Sequence, residues 1–216
     1  MLFRSRGDGA GEMGDYLPTV DLGTGRKVKS VAMGENHTCA ILDNGLVKCW
    51  GDNEFGQLGL GSTSDRGDAP NEMGNNLPYV RFGGGRKAKS LALGVGFSCA
   101  LLDNATVKCW GKNDVGQLGL GDTASRGDNE SVSSLPVVDL GRKAKGITAG
   151  SSHACALLDN GTVKRWGGND FGQLGLGDTS DRGGGADEMG ALLGAVPLGR
   201  KRSEEHTSEL QSHSFI

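Results

Sequence analysis

Short apolar runs separated by Gly, Asn and Asp recur along this chain. In residues 27–82 the runs lie at Lys27–Met33, His37–Leu42, Leu46–Trp50 and Tyr79–Phe82. Val, Ile, Leu and Trp dominate them, and no apolar period of 3.6 residues is sustained. The pattern predicts an all-β protein with four short antiparallel strands in each unit.

The same pattern returns at a nearly fixed interval. The segment from Cys39 to Gly61 recurs at 99–121 and again at 155–177. Self-similarity of this kind indicates a repeat protein built from one supersecondary unit. We divide the repeats into a partial unit, 6–30, and three full units, 31–90, 91–146 and 147–201. The positions that we interpret as structural markers of the repeat are Trp50, Trp110, Trp166, Gly56, Gly116 and Gly172.

An Asp43-Asn44-Gly45 signal between the second and third runs predicts a hairpin. A two-residue loop would place Cys39 opposite Trp50. A three-residue loop, with Gly45 in the left-handed conformation, places Cys39 opposite Cys49. At that non-hydrogen-bonded position the Cα atoms approach to about 4.5 Å, which is within the reach of a disulfide.

The cysteines leave two interpretations open. Cys99 and Cys109 repeat the arrangement of Cys39 and Cys49, which favours two cross-strand disulfides and an oxidising or extracellular compartment. In the third unit Arg165 leaves Cys155 without a partner. That unpaired cysteine favours the alternative, small buried thiols in a protein of the cytoplasm or nucleus. A spacing of nine residues is not typical of a zinc site, and we predict no metal and no cofactor.

The repeat resembles that of the regulator of chromosome condensation family. The resemblance rests on Gly34–Leu42, Gly45–Asn53 and Gly56–Gly61, and it extends in phase over nearly all of residues 6–201. It implies a seven-bladed β-propeller, of which this chain would supply three blades and a fraction. The flanks, 1–5 and 202–216, resemble translated sequencing adapter instead. We expect them to be non-native and 202–216 to be disordered.

The chain is slightly acidic overall but contains basic runs that recur with the repeat. The net charge of −3 gives no general attraction to nucleic acid, and direct contact with nucleic acid is not expected. No apolar run approaches the length of a membrane span. Basic runs nevertheless recur with the repeat, beginning with Arg26-Lys27. A candidate basic rim that would contact an acidic partner or phosphates consists of Arg86, Lys87, Lys89, Arg142, Lys143 and Lys145.

Side chains typical of catalysis fall at positions that the repeat explains. Asp43, Asp103 and Asp159 belong to hairpin turns, where Asp is favoured for local geometry. His37 occupies a position that Phe97 fills in the next unit, which favours packing over metal binding or proton transfer. We therefore predict no catalytic residue and no enzyme.

The leading functional hypothesis is a non-catalytic protein-interaction scaffold, because propellers present loops from every blade on one face. Two alternatives stay open. The family resemblance implies guanine-nucleotide exchange on a Ran-like small GTPase, and a secreted or cell-surface binding module is also compatible with the family.

Overall fold

The computed structural model describes residue 9 and residues 12–197 of the chain. The predictions for 1–5 and 202–216 lie outside the described residues. Nine strands form three antiparallel sheets, and within each sheet the strands lie in chain order. The strands are β1 (Val28–Met33), β2 (His37–Leu42), β3 (Val47–Gly51), β4 (Ala88–Leu93), β5 (Phe97–Leu102), β6 (Val107–Gly111), β7 (Ala144–Ala149), β8 (His153–Leu158) and β9 (Val163–Gly167). The described residues contain no α-helix, only two short 3-10 turns at Gly14–Tyr16 and Gly74–Asn76. The predicted all-β class is confirmed.

The hairpin between β2 and β3 has the three-residue loop. Leu42 N–H donates to Leu46 O at 2.9 Å, and Gly45 has a φ of 78°. Cys39 consequently lies opposite Cys49, and Cys99 lies opposite Cys109 in the second sheet. The register obtained by counting outward from the turn is confirmed.

The fourth strand predicted in each unit is not confirmed, because each sheet has three strands. The run at 79–82 makes one isolated bridge, in which Val80 N–H donates to Val47 O at 2.9 Å. Pro78 stands at the position of the next ladder bond, and proline has no N–H to donate. Pro136 has the same place before Val138, which makes the corresponding single bond to Val107 O at 2.8 Å. Gly194 stands at this position in the third unit, where Val196 N–H likewise donates to Val163 O at 2.9 Å, so the proline accounts for the single contact only in the first two sheets.

The core lies between the sheets. One face of the first sheet packs against the second, and the opposite face of the second packs against the third. The buried side chains thus form two core clusters, one between the first and second sheets and one between the second and third. Successive side chains of a strand point to opposite faces, so those of β5 and β6 are divided between the two clusters. Cys99, Leu101, Val107 and Cys109 enter the cluster with the third sheet, whereas Ala100, Leu102 and Trp110 enter the cluster with the first. The first strands of the sheets, β1, β4 and β7, contact one another at the junctions.

Candidate interaction surface

Three basic segments, residues 26–29, 86–89 and 142–145, lead into the first strand of each sheet. In the second and third segments an alanine points into the core and the flanking lysines point to solvent. All six lysines of the segments are exposed: Lys27, Lys29, Lys87, Lys89, Lys143 and Lys145. Because β1, β4 and β7 lie side by side, the segments form a repeating basic surface at one end of the strands.

The arginine of each segment is ion-paired with the aspartate of a hairpin turn. Arg86 lies 3.4 Å from Asp103, and Arg142 lies 2.7 Å from Asp159. The hydrogen bond and charge of Arg142, with a contribution from Lys145, lower the pKa of the Asp159 carboxyl. Arg26 and Asp43 repeat the pair at 3.5 Å. Of the predicted rim, the two arginines are thus ion-paired, and the four lysines are exposed.

Backbone hydrogen bonds fix each basic segment between two hairpins. Asp103 N–H donates to Lys87 O at 2.9 Å within the second sheet. Ala88 N–H donates to Gly45 O of the first sheet at 3.1 Å, and Ala144 N–H donates to Ala105 O of the second at 3.0 Å. The spacing of the basic segments is therefore set by the packing of the sheets.

A cleft lies beside each of the two segments at 86–89 and 142–145. The first has a volume of about 320 Å³ and is lined by Leu46, Tyr79, Phe82, Arg81 and Arg86 among others. The second, of about 360 Å³, lies between the hairpin residue Thr106 and Arg142. Where the first cleft carries Arg81, the second carries Asp139, so the first has the more positive lining.

The repeated tryptophans join neighbouring sheets. Trp110 Nε1–H donates to Gln57 O at 2.9 Å, and Trp166 Nε1–H donates to Gln117 O at 3.0 Å. Both indoles are fully buried, whereas Trp50, on the outer face of the first sheet, is half-buried. The tryptophans act as packing anchors with one satisfied polar atom.

The loops that follow β3, β6 and β9 are closed by buried asparagines. The side chain of Asn53 accepts from Leu58 N–H at 2.9 Å and donates to Ser62 O and Ser64 O. Asn113 and Asn169 repeat the arrangement. The loops contain the repeated sequence Gly-Gln-Leu-Gly-Leu-Gly, at 56–61, 116–121 and 172–177. These hydrogen bonds give that sequence a structural role as a turn.

Sulfur chemistry distinguishes the third sheet from the other two. The structure contains the disulfides Cys39–Cys49 and Cys99–Cys109, each with a Cα–Cα distance of 4.1 Å. In the third sheet Cys155 faces Arg165, whose Nη1 donates to Gln173 O at 3.0 Å. Burial raises the pKa of the Cys155 thiol, which disfavours the reactive thiolate.

His37 belongs to a hydrogen-bond chain between the first two sheets. Its Nε2 lies 2.8 Å from Ser98 Oγ, and that hydroxyl donates to Gln57 O at 2.9 Å. Because the hydroxyl proton is used there, His37 is the donor to Ser98. Burial lowers the pKa of His37 to about 4, so the ring is neutral at physiological pH. This arrangement gives His37 a structural role.

Comparison with known families identifies the repeat. The models of the regulator of chromosome condensation (RCC1) repeat match residues 28–57, 88–117 and 144–173, and also 44–101 and 106–157. The chain belongs to the RCC1 repeat family. The resemblance expected from the sequence is thereby confirmed, and the three sheets are three RCC1 repeats.

The curated relatives are longer proteins with RCC1-like segments. The ultraviolet-B receptor UVR8 of Arabidopsis thaliana is 35% identical over 159 residues, which are 73% of this chain and 33% of the receptor. The E3 ubiquitin-protein ligase HERC2 of Homo sapiens is also 35% identical over 159 residues, which are 72% of this chain and 3% of the ligase. The chain thus spans at most about a third of these two relatives.

Solved structures support the propeller architecture. Prp20p of Saccharomyces cerevisiae, described with its binding to Gsp1p and histones, matches at 25% identity with a TM-score of 0.57, over 71% of this chain and 36% of Prp20p. Human WBSCR16 matches at 26% identity with a TM-score of 0.60, over 78% of this chain and 42% of WBSCR16. The RCC1 repeats described here therefore have the fold of a β-propeller fragment.

Sequence reasoning missed a buried lysine in each RCC1 repeat. Lys48 Nζ donates to Leu22 O at 2.9 Å and Gly74 O at 2.6 Å, and Lys108 Nζ donates to Val132 O and Ser133 O. Lys164 repeats the contact with Gly190 O. Burial lowers the pKa of all three ammonium groups. The signal available in the sequence was their recurrence directly after a valine and two residues before the repeat tryptophan.

Residues 9 and 12–197 contain no group of three or more His, Cys, Asp or Glu side chains placed to hold a metal ion. None of their helices is long and apolar enough to cross a membrane.

Proposed function

We propose that this chain is a non-catalytic protein-interaction scaffold built on RCC1 repeats. The observation that carries the proposal is that most of the recurring polar side chains make structural contacts, whereas the lysines of the basic segments do not. The hairpin aspartates, the loop asparagines and His37 are engaged in contacts that maintain the repeat. The lysines of the basic segments are exposed on rigidly spaced backbone.

The test uses the complete parent protein. The protein is cross-linked in its source cells, the cross-linked partner is identified, and binding is measured again with both purified components. We expect a reversible complex in which the partner is chemically unchanged. A covalent change in the partner that requires this protein would overturn the scaffold proposal.

Guanine-nucleotide exchange on a Ran-like small GTPase is a second candidate. The observation in its favour is the match to Prp20p, which binds Gsp1p. The measurement is release of a fluorescent nucleotide from such a GTPase in the presence of the complete propeller. Acceleration would support exchange, and an unchanged release rate would remove this candidate.

A secreted or cell-surface binding module is favoured by the two disulfides, because disulfides persist in oxidising compartments. The test is non-reducing mass spectrometry of the protein isolated from its source with thiols blocked at lysis. Free thiols at Cys39, Cys49, Cys99 and Cys109 would exclude export as the reason for these cysteines.

A further inference from the structure

The basic segments carry more positive charge than the adjacent carboxylates neutralise. Each segment has one arginine paired with one hairpin aspartate. Its two lysines are exposed and have no carboxylate within ion-pair distance among residues 9 and 12–197. The whole chain has a net charge of −3, so this surface is a local excess of positive charge on an otherwise acidic molecule.

Backbone hydrogen bonds also hold the basic segments in fixed positions. Each segment is bonded to the hairpin of its own sheet, and the segments at 86–89 and 142–145 are also bonded to that of the preceding sheet. A built Cβ on Gly45 would lie 2.8 Å from Lys87 Cβ, which shows how closely the lysine stem packs over that turn. A rigid array of charges binds with little loss of backbone entropy.

The cleft beside Arg86 adds an apolar contact to this array. Tyr79, Val80, Phe82 and Leu46 form its apolar walls, and Arg81 and Arg86 lie in its lining. Its volume of about 320 Å³ is sufficient for a large apolar side chain. A partner that combines carboxylates with such a side chain would match both features.

A protein segment fits this surface better than a nucleic acid does. Double-stranded DNA carries one charge per about 1.7 Å of its axis, so its phosphates would also lie against Asp43, Asp103 and Asp159. A peptide can place its carboxylates beside the lysines and leave the aspartates uncontacted. The acidic character of the rest of the molecule disfavours long polyanions further.

We propose that the three basic segments and the Arg86 cleft bind an acidic protein segment that inserts one apolar side chain into the cleft. The inference rests on the proposed scaffold function and specifies its partner. The lysines contact the carboxylates, and the partly exposed Leu46 and Tyr79 receive the apolar side chain above the buried Val80 and Phe82.

The experiment measures fluorescence anisotropy of a labelled oligoglutamate peptide with the full chain, with and without a central phenylalanine. Lys89→Gln should weaken binding about threefold, and the triple change K29Q/K89Q/K145Q about tenfold or more. The matched control is Lys112→Gln, since Lys112 lies at the opposite end of the strands and pairs with Asp114.

The central phenylalanine of the peptide should raise its affinity about tenfold through burial of the ring in the cleft. Binding should weaken as salt is added.

Three results would overturn the proposal. These are equal affinity of K89Q and K112Q, no gain from the phenylalanine, and displacement of the peptide by duplex DNA at equal charge concentration. If the partner captured from source cells binds K29Q/K89Q/K145Q as tightly as the unaltered protein, the scaffold function stands and this surface is not its site.

Discussion

Ala105 is the residue at which the second hairpin departs from the other two. It has a φ of 67°, close to the 78° of Gly45 and the 84° of Gly161. The left-handed conformation costs an L-residue with a Cβ about 1 kcal/mol or more. This strain could be predicted from the sequence, because a three-residue hairpin loop requires the left-handed conformation at the position that Ala105 occupies.

Ala105→Gly should stabilise the protein by about 0.5–1 kcal/mol, since relief of the backbone strain exceeds the entropy added to the unfolded chain. The reciprocal change Gly161→Ala should destabilise it by a similar amount. A Cβ at Gly161 would meet no atom within 4 Å, so only the backbone term changes there. Urea unfolding midpoints measure both variants, and a destabilised A105G would contradict this account.

His37 shows why residue type alone does not define a site. His37, Phe97 and His153 lie over Gly34, Gly94 and Gly150 respectively, where a Cβ would overlap each ring. The comparison of units predicted this packing role. The hydrogen bond to Ser98 of the next sheet was not predictable, because it depends on how two units pack against each other.

The buried His37 should make stability depend on pH. Its pKa is about 4 in the folded protein and about 6.5 when unfolded, so the unfolded state binds the proton more readily. Its contribution is complete above about pH 6.5, decreases as the pH falls towards 4, and amounts to about 3 kcal/mol. His37→Phe should reduce this dependence in urea titrations between pH 7 and about 4. His153→Phe should reduce it less, because His153 is half-buried. Equal effects of the two variants would contradict the assignment.

At the scale of the element, turns were more predictable than strand partners. The Asp-Asn-Gly signal and the cysteine spacing determined the β2–β3 register, because both act within one hairpin. The fourth run has the composition of a strand, but Pro78 limits it to one bridge. Lys48 was missed for a related reason, since the carbonyls that bury it lie in distant loops.

The third hairpin has the register of a disulfide without the second thiol. Cys155 lies opposite Arg165 as Cys39 lies opposite Cys49. Arg165→Cys should therefore form a third disulfide and stabilise the protein by about 2–3 kcal/mol. Non-reducing peptide mapping detects the bond, and urea unfolding with and without reductant measures its effect.

Arg165→Ser is the matched control for that substitution. It also removes the hydrogen bond to Gln173 O but supplies no thiol. R165S should therefore be no more stable than the unaltered protein. Free thiols at both positions in oxidised R165C would contradict the register.

At the scale of the whole molecule, close contact between sheets depends on glycine. A Cβ on Gly56 would lie 2.4 Å from Asp128 N, and a Cβ on Gly116 would lie 2.3 Å from Gly184 N. Gly172 has the same place in the third unit, but its Cβ would meet nothing closer than Asp178 O at 3.9 Å. Among residues 9 and 12–197 no further sheet packs against the third unit, so Gly172 has the backbone conformation of this position without the close contact.

These three glycines separate backbone strain from packing between sheets. All three have φ between 71° and 77°, so each alanine variant has a similar conformational cost of about 1 kcal/mol. Gly172→Ala should show only that cost. Gly56→Ala and Gly116→Ala should lose about 1–3 kcal/mol more, because two backbones must separate to admit the methyl group.

Weaker packing between the sheets in Gly56→Ala should also change the order in which the sheets unfold. In repeat proteins each unit depends on its contacts with its neighbours, so a weakened contact uncouples them. G56A should therefore expose the first sheet at lower urea than the second and third, and hydrogen exchange along β2 and β3 measures this order. If G56A and G172A have the same midpoint and the same exchange pattern, close approach at Gly56 does not hold the first two sheets together.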